Sequence, residues 1–77
     1  MIFLIEYDRD QGKLVNFSSF KDEEATVAKD QRLAREMWLN KMGLEREVVL
    51  LEARNEDALK RTHRRYFEDL KELLQTR

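Results

Sequence analysis

The chain has no cysteine and no proline, and only two glycines, one histidine and one tryptophan among 77 residues. Without cysteine it can form neither a disulfide framework nor a thiolate zinc site, which suits a reducing compartment such as the cytoplasm. With no proline and no Gly/Ser-rich stretch there is no linker, so a single domain over residues 1–77 is expected. Gly12 and Gly43 are too few and too far apart for a Walker or dinucleotide-binding loop. One sign of charge never dominates: 15 basic residues face 16 acidic ones. Such a balance creates no global field to draw nucleic acid or an anionic membrane. Long hydrophobic runs are also missing. The apolar start Ile2–Ile5 is followed at once by Glu6 and Asp8 and is too short for a signal peptide or a membrane span, so no membrane association is expected.

What is present is a pattern of alternation. Ile2–Tyr7 crowds β-branched and aromatic residues without helical spacing, which marks a strand. Asp8-Arg9-Asp10-Gln11-Gly12 then breaks it, with Gly12 able to take the positive φ of a hairpin loop. The second arm, Lys13–Phe20, alternates Val15 and Phe17 against Leu14, Asn16, Ser18 and Phe20, and its polar dilution suggests an edge strand. A helix is expected from about Asp22, with Ser19 as a competing cap, to Met42, where Gly43 supplies a left-handed stop. On that helix Val27, Ala34, Trp38 and Met42 share one arc, which makes Trp38 the expected centre of the core. Glu47–Arg54 reads as a third strand. Asn55 caps a second helix with a stripe of Leu59, Thr62, His63, Tyr66, Leu70, Leu73 and Leu74.

The resulting order ββαβα predicts an α+β fold. Placing the most apolar strand at the centre gives a three-stranded sheet in the order 2-1-3, with the third strand antiparallel to the first. Both helices are expected on the Phe3/Ile5/Tyr7 face, as a two-layer sandwich; the alternative sets them on opposite faces in three thin layers. In the two-layer arrangement Ile2, Leu4, Leu14, Val48 and Leu50 form a bare apolar patch, the kind of surface that marks an interaction site. A two-fold contact through it would make a homodimer. Another protein partner could serve the same patch.

Sites with specific chemistry are scarce. His63 has no cysteine or HxxxH companion for a metal, and Thr62, Ser18 and Ser19 lack the glycine-rich turn that an activated nucleophile needs. Asp8 and Asp10 could open a calcium loop, but Arg9 stands between them and the closing glutamate is missing. The acids Asp22, Glu23 and Glu24 fit helix capping. No cofactor, metal site or enzymatic activity is therefore expected. Lys60, Arg61, Arg64 and Arg65 form the one basic cluster, an alternative contact for nucleic acid. Acids one helical turn away (Glu56, Asp57, Glu68, Asp69) describe it better as a salt-laced face. The hairpin-then-helix opening also occurs in small antitoxin and RNA-associated modules, although that layout is generic. The sequence is therefore read as a non-enzymatic interaction module that forms a homodimer. The alternative is a nucleic-acid-binding or regulatory, antitoxin-like protein.

Overall fold

The computed structural model describes residues 1–68. Three strands, β1 (Ile2–Asp8), β2 (Lys13–Phe20) and β3 (Glu47–Glu52), form an antiparallel sheet in the order β2-β1-β3. Two helices, α1 (Ala25–Met42) and α2 (Glu56–Thr62), complete the α+β fold. The most apolar strand is thus the central one, as its alternation requires.

Local chemistry fixes each boundary. In the hairpin loop the Asp8 carboxylate accepts from the amides of Asp10 and Gln11 at 3.0 and 3.1 Å, while Gly12 takes φ 64° and donates to the Asp8 carbonyl. This side-chain turn is what the Asp-to-Gly spacing favours. Before α1, Asp22–Glu24 forms a 3₁₀ turn, and Glu24 reaches back to accept from the Lys21 amide at 2.8 Å. Asp22 instead pairs with the N-terminal ammonium at 3.0 Å. At the other end Gly43 adopts φ 70°, and paired bonds from Gly43 to Asn40 and from Leu44 to Leu39 close a Schellman motif. Asn55 caps α2 by accepting from the Ala58 amide at 2.8 Å.

The two faces of the sheet carry one helix each. Phe3, Ile5 and Tyr7 pack with Leu59 and Tyr66 on the α2 side, where Tyr7 and Tyr66 meet edge to face. Ile2, Phe20 and Ala28 form a second cluster on the α1 side, joined by Leu4, Ala25 and Leu50. The expectation that both helices share the Phe3/Ile5/Tyr7 face is therefore corrected: they lie on opposite faces. The reason is the charge at Glu6. It alternates with Ile2 and Leu4 on the second face, and Arg35 of α1 comes down to meet it.

Two further corrections follow from geometry. A β-bulge at Glu6/Tyr7 pairs Glu6 with Asn16 but Tyr7 with Leu14, leaving Val15 as the extra residue. Leu14 is thereby switched to the α2 side, where it packs with Phe3, Ile5 and Tyr7. The second correction concerns α1, whose buried residues are Ala28 and Leu39; Trp38, expected at the core centre, is 43% exposed. α2 is also shorter than its apolar stripe suggests. It ends at Thr62 with His63 as its C-cap, and a 3₁₀ turn over Arg64–Tyr66 carries Tyr66 into the core. Leu70, Leu73 and Leu74 lie outside the described residues.

Candidate functional site

The most distinctive geometry lies between α1 and the β2 half of the sheet. Glu6 sits at the floor, 2% exposed, on the central strand. Arg35 holds it with two nitrogens, Nε at 2.5 Å and Nη2 at 3.2 Å, and Arg46 adds Nη1 at 2.7 Å. Asn16, its partner across the β1–β2 ladder, donates from Nδ2 at 3.0 Å. Burial opposes ionisation of Glu6 more than any other single influence. The hydrogen bonds from Arg35, Arg46 and Asn16 together outweigh it and hold the carboxyl at about 2. A carboxylate so fully satisfied has no free lone pair aimed outward, so it positions its neighbours rather than acting as an acid or base.

Arg35 is the link to the surface. Its guanidinium also lies 4.4 Å over the Trp38 ring, which stands half exposed above the sheet. Between this pair and β2 runs a groove of about 350 Å³, open to solvent and lined by Leu4, Asn16 and Ser18 from the sheet and Ala34, Arg35 and Trp38 from α1. The groove exists because α1 packs over β1 and β3 and covers only the Phe20 end of β2, leaving Asn16 and Ser18 exposed beside Ala34.

Of the five residues expected to form an apolar patch, Ile2 is buried beneath α1, and Leu4, Val48 and Leu50 are half-buried on the same side. Leu14 belongs to the opposite face. Only Leu4 and Val48 reach the groove. The surface that sequence reasoning missed is α1 itself. Val27, Leu33, Met37, Trp38 and Met42 are all between 43% and 64% exposed. A reading of charge could have found this. Arg35 stands seven residues after Ala28 and four before Leu39, so it shares the inward side with both, and Glu6 needs a cation there.

A second ionic cluster joins the hairpin loop, β3 and the 3₁₀ turn. Glu47 accepts from Arg9 Nε at 3.0 Å, from Arg65 Nη2 at 2.8 Å, and from the Tyr66 hydroxyl. Burial and the Glu47 carboxylate push the Tyr66 phenol above its ordinary value. Glu47 itself is held below the usual carboxylate range, where the donors Tyr66, Arg9 and Arg65 overcome the larger effect of burial. Three of the four bases in the sequence's basic cluster are engaged in ion pairs, one of them here. Arg65 serves Glu47 and stacks over Tyr66 at 4.4 Å, Lys60 pairs with Glu56 at 3.6 Å, and Arg64 pairs with Glu68 at 3.2 Å. Arg61 has no ion pair with a described residue, and Asp69 lies outside that range. His63 is half-buried beside Tyr66, with its Nδ1 2.9 Å from Thr62 Oγ1.

Among the described residues no group of three or more His, Cys, Asp or Glu could hold a metal ion, and no helix is long and apolar enough to cross a membrane. No family model, curated protein or solved structure matches the chain.

Proposed function

We propose that this protein is a non-enzymatic interaction module that acts as a homodimer, docking through α1 and the groove beside it. One observation carries the reading: five large apolar side chains of α1 are exposed, while only Ala28 and Leu39 of its 18 residues are buried. A helix apolar on more than one side is normally covered on more than one side. Contiguous apolar surface of this kind marks an interface. The contact differs from the bare sheet patch expected from the sequence, because α1 occupies part of that face. A cytoplasmic setting fits the cysteine-free composition.

The test is the mass in solution of the wild type and of Met37→Glu. Met37 is 64% exposed, so a charge there leaves the fold intact and should convert a dimer to a monomer at micromolar concentration. A Met37→Glu chain as dimeric as the wild type would remove α1 from the interface.

Nucleic-acid binding through α2 is the competing function, and it can be checked directly. Short duplex DNA and RNA should bind weakly, and Arg61→Ala with Arg64→Ala should leave their affinity within about twofold. A tenfold loss in filter binding or fluorescence anisotropy would favour the competing function.

A further inference from the structure

We infer that the occupant of the groove is α1 of a second copy, lying antiparallel to the first with the two-fold axis close to Ala34. This rests on the dimer proposed above and specifies its geometry. Ala34 is the small residue at the middle of the exposed arc, between Val27 and Trp38, and it lines the groove. A small side chain there lets two helices approach closely. Axes about 8–10 Å apart, less two backbone radii of about 2.3 Å, leave facing Cα atoms roughly 3.4–5.4 Å from each other, and the upper part of that range overlaps disulfide geometry.

Charge complementarity selects the antiparallel direction and a second copy rather than an unrelated helix. The exposed side of α1 carries Asp30 in its first half and Lys41 in its last turn, and Asp22, Glu23 and Glu24 precede it. Turning one helix about Ala34 brings Lys41 opposite Val27 of the other, within a turn of Asp30 on one side and of Glu23 and Glu24 on the other. A parallel pair would set Lys41 against Lys41 and Asp30 against Asp30. Antiparallel packing also sets each helix N-terminus beside the other's C-terminus, which their dipoles favour. Leu33 and Met37, 55% and 64% exposed, face away from their own sheet.

The absence of native cysteine makes the test clean. Ala34→Cys should form a covalent dimer rapidly and almost completely under mild oxidation at micromolar concentration, because facing Cα atoms near the axis meet disulfide geometry. Val27→Cys and Lys41→Cys should cross-link when mixed and only slowly when each is alone. Exchanging the charges supplies a second readout: Asp30→Lys or Lys41→Asp alone should weaken the dimer several-fold, and the double exchange should recover part of the loss, Glu23 and Glu24 still facing position 41. A dimer in which Ala34→Cys stays uncrosslinked, or in which Val27→Cys and Lys41→Cys each pair with themselves, would overturn this geometry and leave the dimer standing. A wild-type chain that sediments as a monomer overturns both.

Discussion

Acidification from pH 5 to pH 2 should remove up to about 3 kcal/mol of folding stability through Glu6 alone. In the folded chain this carboxyl titrates at about 2, against a reference of 4.5. A lowered folded pKa means the unfolded chain takes up the proton first as the pH falls. The stabilisation is therefore complete above about 4.5 and is lost progressively down to about 2. At about 1.4 kcal/mol per unit the shift corresponds to roughly 3 kcal/mol. That value is a ceiling, because Arg35 and Arg46 remain 32% and 23% exposed and can rehydrate when Glu6 is neutralised. Glu47 is shifted in the same direction and adds to the acid sensitivity. Urea denaturation across this range, for the wild type and for Glu6→Gln, isolates the effect. The Gln variant keeps the shape and loses the charge, so it should be less stable at pH 6 and show a flatter acid limb. Parallel acid limbs for the two proteins would show that Glu6 is not the controlling group.

Leu59→Ala should cost about 2–5 kcal/mol, since the side chain is fully buried and its removal leaves a cavity under Phe3, Ile5 and Tyr7. For a chain of this size that is a large part of the whole folding free energy. Leu33→Ala is the natural control. Leu33 is 55% exposed on α1, so the same truncation should leave monomer stability within about 0.5 kcal/mol. Thermal or urea melts at low protein concentration, where association does not contribute, make the comparison. Equal losses at the two leucines would contradict the burial of α2 and the exposure of α1.

The strands and their order were legible because alternation and turn chemistry act locally. Asp8 and Gly12 define the hairpin, Gly43 ends α1 and Asn55 begins α2, each by bonds within a few residues. The placement of α1 was not legible from hydrophobicity, because its inward side is built from Ala28, Leu39 and a charged residue. Counting apolar positions favours the arc of Val27, Trp38 and Met42, which the fold leaves outside. The information lay in Glu6, an acid flanked by apolar residues within the central strand, whose burial demands a cation from the element above it. The bulge at Val15 was invisible for another reason. A one-residue slip preserves the alternation on each side of it and exchanges the faces of the residues beyond it, Leu14 and Lys13. The i,i+4 pairs expected for Lys60 and Arg64 are present, and Arg65 pairs with Glu47 on β3; Asp69, its expected partner, lies outside the described residues.

Whether the exposed side of α1 is an interface is tested most directly by sedimentation velocity of the wild-type chain over about 1–100 μM, with Trp38 fluorescence followed on dilution. The expected result is a species of about twice the 9.3 kDa chain mass at the upper concentrations. On dilution it should give way to monomer, with Trp38 emission shifting to the red as its half-exposed ring loses the second copy. A single 9.3 kDa species throughout, with unchanged Trp38 emission, would contradict the proposal.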